Sequence, residues 1–392
     1  MVYCAAPIAN DCINVEDQIM LKKIKLFSAM IGCILLAGCC ADKSYNVVLL
    51  GDIHYDHLKY HDTSKMKHLG IPAEKHAYNK DGYFSWRSHS LWTLINLGGS
   101  VEKNTPLNMK MWENHVPAIL DGAAAEAKKV DARCTIQLGD LIHGDCYDLE
   151  LNKQNLRDAI AQLTGRFNKV LVVSGNHDSR GPGGQQAWDE VVNPYLDKTV
   201  RNLPRSKTNY YFMIDKDLYF FYDLMNPDLD LLEKALQENP DSRYTFFVSH
   251  VPLLPTGKRA IRSGLSDDIV RLFNLLEKRN AIVLSGHTHK ISQVKYFNPA
   301  NGRRIDQFII NSTVRYPDKQ LKFKPQVEGN NSEFPGNAGK LKEVWYKLYD
   351  GKVTTLQHSH GTGFGILRAS DDGVFVDYRN LNDSNVYTWR LR

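Results

Sequence analysis

Seven side chains of the kinds that bind transition metals follow closely on five apolar segments of the sequence. Each segment is a short run of branched or aromatic apolar residues, which predicts a buried strand, and it ends in a small turn residue or directly in the polar one. In α/β proteins, ligands bind past the carboxyl ends of the strands. We therefore expect these side chains to converge at one edge of a sheet. They are Asp52, His54, Asp140, Asn176, His250, His287 and His289.

The types and spacings of these residues indicate a site for two metal ions. Imidazole, carboxylate and amide oxygen together favour zinc, manganese or iron over calcium. In the Asp-x-His pair that begins at Asp52 and the His-x-His pair that begins at His287, the outer side chains project on the same side and reach one site. Seven ligands are too many for one such ion and suit two. A carboxylate such as Asp140 can bridge ions about 3.5–4 Å apart, which clamp an in-line displacement at phosphorus.

The order of the motifs, Asp-x-His, Gly-Asp, Gly-Asn-His-Asp, His and Gly-His-x-His, resembles the calcineurin-like metallophosphoesterase superfamily over about residues 45–315. The resemblance implies an α/β fold, a four-layer α/β/β/α sandwich, and a hydrolase of phosphoester bonds with two divalent or trivalent ions (Mn, Fe or Zn). It implies that a hydroxide between the ions attacks phosphorus and that His177 is the general acid. It assigns the first ion to Asp52, His54, Asp140 and His289, and the second to Asp140, Asn176, His250 and His287.

Two positions depart from related families. Purple acid phosphatases carry Gly and Tyr where this chain has His54 and His143, so a tyrosinate-coloured iron centre is not expected. Serine/threonine phosphatases orient their catalytic histidine with an aspartate at the position of His143, a role that Asp145 or Asp178 could take here. His143 and Arg180 are the candidate substrate-binding residues. The guanidinium of Arg180 can bind two phosphate oxygens, and a solvated loop charge is the alternative.

The leading functional hypothesis is an exported metal-dependent phosphoesterase acting on a small-molecule or lipid phosphate mono- or diester. The alternatives are a phosphodiesterase for cyclic nucleotides or phospholipid-type diesters, and a non-catalytic binding lipoprotein on the same fold. Every ligand position is filled, which disfavours the binding protein. The remaining histidines are interpreted as polar loop residues, one of which could contact substrate, and a third metal pair is the alternative for His358 and His360. They are His57, His61, His68, His76, His89, His115, His358 and His360.

The N-terminal residues predict export and a lipid anchor. A basic segment at residues 22–25 precedes the apolar residues 26–37, which are too short to span a bilayer. The following Leu-Ala-Gly-Cys resembles the lipobox of bacterial lipoproteins, with lipidation at Cys39. We expect residues 20–39 to be a signal peptide and the protein to be membrane-anchored in the periplasm or at the cell surface. A short buried helix is the alternative. Residues 1–19 contain acidic residues that suit no signal peptide, and we interpret them as a wrongly assigned start.

The remaining sequence predicts one phosphoesterase domain and an extension. The chain has 392 residues, 43% hydrophobic and 24% charged, with a net charge of +5, so no nucleic-acid partner is expected and the oligomeric state is left open. Strands alternate with helices over 45–316, with an insertion at about 55–115, and residues 317–392 form a linker and a β-rich C-terminal region. A helix is predicted to begin at Pro117. Cys134 and Cys146 could pair, although two buried free thiols are favoured.

Overall fold

The structure, a computed structural model, describes residues 44–60, 98–144, 146, 149–181, 183–254, 266–311, 313, 352–359, 361–380 and 386–392. Several sequence predictions lie outside these residues or concern side chains that are not described. They concern the signal peptide at 20–39 with Cys39, the segment 1–19, the linker that begins at 317, and His61, His68, His76, His89, Asp145, His358 and His360.

Up to β8 the described residues alternate between strands and helices, except that β4, β5 and β6 follow one another directly, and thereafter they form strands. The strands are β1 (Tyr45–Leu50), β2 (Cys134–Gln137), β3 (Val170–Val172), β4 (Arg205–Ser206), β5 (Asn209–Ile214), β6 (Asp217–Tyr222), β7 (Thr245–Ser249), β8 (Ile282–Ser285), β9 (Ile291–Asn298), β10 (Arg303–Ile309), β11 (Val353–Ser359), β12 (Gly363–Ser370), β13 (Gly373–Asn380) and β14 (Val386–Arg390). The α-helices are α1 (Gly98–Lys129), α2 (Leu149–Thr164), α3 (Gly184–Thr199), α4 (Leu229–Glu238) and α5 (Ser266–Lys278).

The strands form two sheets that lie face to face. The first has the order β14-β13-β12-β1-β2-β3, and the second β11-β9-β10-β8-β7-β6-β5-β4. In the first sheet β1, β2 and β3 are parallel, and in the second β6, β7, β8 and β10 are parallel. Parallel strands end at the same edge of their sheet, so the motifs that follow β1, β2 and β3 are brought together, as are those that follow β7 and β8.

The alternation of side chains along β6 explains the layers. Tyr219 and Phe221 belong to the core that contains the first sheet, whereas Phe220 and Tyr222 belong to the core formed with α4 and α5. Successive residues of a strand point to opposite faces, so the second sheet is covered on both sides. Helix α1 packs on β1 and β12, and α3 packs on β3. The α/β fold class and its four layers, predicted from the resemblance, are confirmed.

Helix α1 differs from the prediction. It begins at Gly98, so Pro117 lies inside it and does not start it, and residues 98–115 of the predicted insertion are part of this helix. Trp112, Val116 and Leu120 recur at helical spacing and are buried in the core. The helix continues through Pro117 because the free energy gained by burying these side chains exceeds the cost of the missing N–H group of proline. Local helix propensity does not include this gain.

The C-terminal strands complete the two sheets. β12 pairs antiparallel with β1, from Tyr45 opposite Ala369 to Leu49 opposite Gly365, and β11 pairs with β9. The predicted β-rich extension is therefore built into the same layers as the motif-bearing strands, because β1 would otherwise be an open edge.

Helix α3 was not predicted. Cys134 and Cys146 are both buried and form no disulfide with each other, as favoured from the sequence. Within the described residues, no helix has the length and apolar character to cross a bilayer.

A buried carboxylate joins the two sheets at the edge opposite to the motifs. The Tyr45 hydroxyl at the start of β1 donates to Asp217 Oδ2 at 2.6 Å, at the start of β6. Arg243 donates through Nε to Asp217 Oδ1 at 3.0 Å and through Nη2 to Oδ2 at 2.7 Å. Arg243 also pairs with Asp371, in the turn between β12 and β13, at 2.6 Å. One arginine thus connects a fully buried carboxylate with an exposed one.

We expect Asp217→Asn to lower the free energy of unfolding by about 3 kcal/mol, because it leaves the guanidinium without its buried countercharge. Asp371→Asn is the matched control on the same arginine, and since Asp371 is 56% exposed, its loss should lower the free energy of unfolding far less. Urea unfolding followed by circular dichroism measures both variants. Equal losses of stability in the two variants would contradict the conclusion that Asp217 connects the two sheets.

Candidate metal centre

The two sheets deliver all seven predicted ligands to one edge. β1, β2 and β3 lead to Asp52 and His54, to Asp140 and to Asn176, and β7 and β8 lead to His250 and to the His-x-His pair. The ligand set divides into two groups that share Asp140. One group is Asp52, His54, Asp140 and His289, and the other contains Asp140, His250 and His287. Within each group the potential ligand atoms lie within 4.8 Å of one another.

The turns that carry the ligands have unusual backbone conformations. The φ values are 46° at His54, 52° at Asp140 and 70° at His287. They lie in the left-handed region, which residues other than glycine rarely adopt. Gly286 permits one close approach, because a Cβ there would lie 2.4 Å from Asp52 Oδ1. The same oxygen accepts a hydrogen bond from the backbone N–H of His287 at 3.0 Å. Such conformations persist where the surroundings fix them, and they cluster at functional sites.

The first group places two imidazoles and two carboxylates around one point. His54 Nε2 lies 3.2 Å from His289 Nε2 and 3.7 Å from Asp140 Oδ2. His289 Nε2 lies 3.1 Å from Asp52 Oδ2. Asp52, His54 and Asp140 are buried, and the His289 side chain is 21% exposed. This group is therefore open to solvent on the side of His289.

The second group is arranged around His250. Its Nε2 lies 3.1 Å from His287 Nδ1, 3.2 Å from Asp140 Oδ2 and 3.3 Å from Asn176 Oδ1. The other ring nitrogen, Nδ1, donates to the Leu138 carbonyl oxygen at 2.7 Å. That bond fixes the tautomer in which Nε2 of the neutral ring presents its lone pair to the cluster.

The donor set fits two bound cations. Ligands bound tetrahedrally at about 2.0–2.1 Å lie about 3.3 Å apart, and the separations between the facing atoms here run from 3.1 to 3.7 Å. Carboxylate oxygens, an amide oxygen and imidazole lone pairs facing one another repel unless positive charge lies between them. Asp140 Oδ2 faces both groups, which is the position of a bridging ligand.

The protonation of the cluster follows from burial and its carboxylates. Burial alone would lower the pKa of His250, but Asp140 and Asp52 outweigh it and raise that pKa to about 9. Burial would raise the pKa of Asp140, but His250 and His177 hold it well below its usual range. Burial and the neighbouring His177 lower the pKa of His54. Cation binding at His250 would therefore displace a proton.

His177 lies beside the ligands and is held by the Asp140 carboxylate and by one backbone carbonyl group. Its N–H donates to Asp140 Oδ1 at 2.8 Å, and its ring Nδ1 lies 2.7 Å from the carbonyl oxygen of His143. Asp178, which could have oriented this ring, instead accepts from the N–H groups of Gly175 and Ile142 at 2.7 and 3.0 Å. A backbone carbonyl group thus lies where an aspartate was expected to orient the His177 ring. Because every residue has a carbonyl group, the sequence gives no sign of this contact.

The two candidate substrate-binding residues adjoin His177. Arg180 Nη1 lies 2.8 Å from Nδ1 and 3.0 Å from Nε2 of the His177 ring. The His143 ring lies 5.0 Å from that of His177 and 5.6 Å from that of His54, between centroids. Burial and Arg180 lower the pKa of His177. A neutral imidazole and a guanidinium therefore stand together at the side of the ligand cluster.

The sequence also matches a known family across these motifs. The model for the calcineurin-like phosphoesterases matches residues 45–291. The chain belongs to this family. It is a hydrolase of phosphoester bonds with a cluster of Asp and His side chains that is able to bind metal ions. No sequence among the curated proteins matches it.

Solved structures resemble this phosphoesterase at low sequence identity. They include PhoD, 9% identical with a TM-score of 0.50, over 88% of this chain and 68% of that one. A purple acid phosphatase from seeds of yellow lupin (Lupinus luteus) is 13% identical, with a TM-score of 0.49 over 89% and 53%. A dimetal phosphatase from Danio rerio is 11% identical, with a TM-score of 0.45 over 89% and 99%. The chain spans about half the length of the lupin protein, and the likeness to PhoD shows the shared fold alone.

Proposed function

We propose that this phosphoesterase is exported and hydrolyses a phosphate mono- or diester with two metal ions. The observation that carries the proposal is the position of Asp140, whose Oδ2 lies 3.2 Å from His250 Nε2 in one group and 3.7 Å from His54 Nε2 in the other. Asp52, His54, Asp140 and His289 would hold one ion, and Asp140, Asn176, His250 and His287 the other. Mixed nitrogen and oxygen ligands suit Mn, Fe or Zn. When bound, two such ions lower the pKa of water and offset the charge of the phosphoryl group.

His177 would act as the general acid through Nε2. Its Nδ1 stands against the His143 carbonyl oxygen at 2.7 Å, which holds a proton on Nδ1 and turns Nε2 to the other side of the ring. Burial and Arg180 lower the pKa of the free ring. A phosphate anion beside the ring supplies negative charge and raises that pKa again, so that Nε2 can carry the proton that the leaving oxygen needs.

Arg180 would bind a non-bridging oxygen of the substrate. Its guanidinium lies within 3.0 Å of the His177 ring, so a phosphate that reaches the ring also reaches the guanidinium. We expect Arg180→Gln to raise KM about tenfold or more, the loss of a hydrogen bond to a charged group, and to change kcat less. Arg180→Lys should fall between, because lysine keeps the charge and loses the planar fork. Unchanged KM in both variants would contradict substrate binding by Arg180 and favour a solvated charge.

The function is tested by metal analysis of purified protein together with two assays. Nitrophenyl phosphate reports on monoesterase activity and bis-nitrophenyl phosphate on diesterase activity. We expect two ions per chain and metal-dependent hydrolysis of at least one ester, and the ratio of the two rates decides between monoester and diester substrates. Metal-loaded protein that hydrolyses neither ester, nor a cyclic nucleotide or phospholipid diester, would favour a binding protein.

The proposed location is a membrane that holds the protein through lipid at Cys39, in the periplasm or at the cell surface. A lipid anchor is stable because each buried methylene contributes about 0.8 kcal/mol. We expect Cys39→Ala to move the protein from the membrane fraction to the soluble fraction without loss of phosphoesterase activity. Cys40→Ala is the matched control, since it changes the neighbouring cysteine and leaves the lipobox intact. Membrane retention of the Cys39 variant would contradict the anchor.

A further inference from the structure

The end of β2 carries a buried polar side chain that is not a candidate ligand. Gln137 is fully buried, and it pairs in register with Leu50 of β1 and Val172 of β3. Its neighbours in the sheet are therefore apolar residues. A buried amide in such surroundings is unfavourable unless each of its polar atoms is hydrogen-bonded.

The amide of Gln137 makes its bonds to the turn that follows it. Its Oε1 accepts the N–H of Gly139 at 3.0 Å, and its Nε2 donates to the carbonyl oxygen of Gly139 at 2.6 Å. The same Nε2 approaches the carbonyl oxygen of Gly51 at 3.4 Å. One side chain thus binds both polar groups of the residue before Asp140 and reaches the residue before Asp52.

The turn that Gln137 binds has a backbone conformation that is unfavourable by itself. Gly139 and Asp140 are consecutive residues with φ values of 86° and 52°. A Cβ at Gly139 would lie 2.4 Å from Nδ1 of His250, so the turn is pressed against the ring of a candidate ligand. Two consecutive left-handed residues, one of them an aspartate, persist only if neighbouring groups impose the conformation. The Gln137 amide is such a group.

The orientation of this turn decides where the shared carboxylate points. Asp140 Oδ2 faces His250 Nε2 at 3.2 Å and His54 Nε2 at 3.7 Å, while Oδ1 accepts from the N–H of His177 at 2.8 Å. Rotation of the Gly139 peptide would move both oxygens away from these positions. We propose that Gln137 is a positioning residue, which holds the Gly139–Asp140 turn so that Asp140 is shared between the two groups of ligands. This inference rests on the proposed dinuclear function.

The chain offers a matched control. Gln307 in β10 is also fully buried, and its amide makes the same pair of bonds to one backbone residue. Its Oε1 accepts the N–H of Leu254 at 2.8 Å, and its Nε2 donates to the carbonyl oxygen of Leu254 at 2.9 Å. Leu254 precedes no candidate ligand. Replacement of either glutamine by methionine removes the same bonds with little change in volume.

The test compares Gln137→Met and Gln307→Met with the unmodified protein in a Co²⁺ titration followed by visible absorption. We expect both variants to lose a similar amount of thermal stability. Only Gln137→Met should require about 10–100-fold more Co²⁺ for half-saturation, the usual effect of losing a group that orients a ligand. Its hydrolysis rate should recover as Co²⁺ is raised, which a purely structural defect would not produce. If Gln137→Met does not fold, Gln137→Glu retains the acceptor and the volume and is measured in its place.

Equal Co²⁺ affinity in the two methionine variants would overturn the positioning role. A failure of the positioning role can be distinguished from a failure of the proposed function, because the unmodified protein is assayed for hydrolysis alongside the two variants. Unmodified protein that binds two Co²⁺ ions but hydrolyses no phosphoester would refute the function and leave the affinity comparison intact. Unmodified protein that binds no Co²⁺ would refute both.

Discussion

We expect Asp140→Asn to lower kcat/KM about 10³-fold, which is ~4 kcal/mol of lost transition-state stabilisation, and to reduce the bound metal below two ions per chain. The asparagine keeps the size of the side chain and loses its negative charge. At this position the charge faces both ligand groups, since Asp140 Oδ2 lies 3.2 Å from His250 Nε2 and 3.7 Å from His54 Nε2. A neutral amide cannot offset two cations. Metal analysis and steady-state kinetics on the same preparation measure both effects.

Asp217→Asn is the control for this substitution. It also neutralises a fully buried aspartate, but at the opposite edge of the sheets. At a temperature at which it remains folded, we expect it to keep its metal and its kcat. Full activity and two ions per chain in the Asp140 variant would refute the dinuclear site.

The second large effect concerns His177→Asn, which should slow hydrolysis of alkyl phosphoesters by about 10²–10⁴-fold and of nitrophenyl esters far less. Nitrophenolate leaves readily as an anion, whereas an alkoxide needs a proton. Metal content should stay nearly unchanged, because His177 is not among the seven candidate ligands and asparagine retains the bond from its backbone N–H to Asp140. Rates on a matched pair of alkyl and nitrophenyl esters, with metal analysis, make the comparison.

Two other outcomes would assign His177 differently. Equal losses on both esters would indicate that the ring stabilises the phosphoryl oxygens and does not donate a proton. Loss of metal would indicate a ligand or a structural support. His115→Asn serves as the control, since His115 lies on α1 outside the ligand groups, and it should change neither rate.

The orientation of His177 was the least predictable part of the site. Asp145 or Asp178 was the expected partner for its ring, but the structure places the His143 carbonyl oxygen 2.7 Å from its Nδ1, and Asp145 lies outside the described residues. Asp178 accepts two backbone N–H groups and ties the turn after β2 to the turn after β3. Any residue at position 143 carries a carbonyl group, so residue types could not reveal this contact.

Gln137 illustrates a similar gap. In the sequence it is one polar residue in an apolar run, which predicts only a strand end. Its role depends on Gly139 and Asp140 turning back beneath the ring of His250, a residue more than a hundred positions away. The two hydrogen bonds between the Gln137 amide and the backbone of Gly139 correspond to no recognisable sequence pattern.

The sequence by itself determined the candidate ligands, the strands that lead to them and the family. Those properties are local, because an apolar run of four to six residues followed by Asp-x-His or His-x-His is visible within one motif, as in β1, Tyr45–Leu50, and the Asp-x-His pair after it. Tertiary structure alone decided that α1 continues through Pro117, that β12 closes the side of β1, and that Asp140 lies between two groups of nitrogens. Each of these depends on burial and contacts between segments far apart in the chain, whose free energy exceeds the local preferences that a sequence displays.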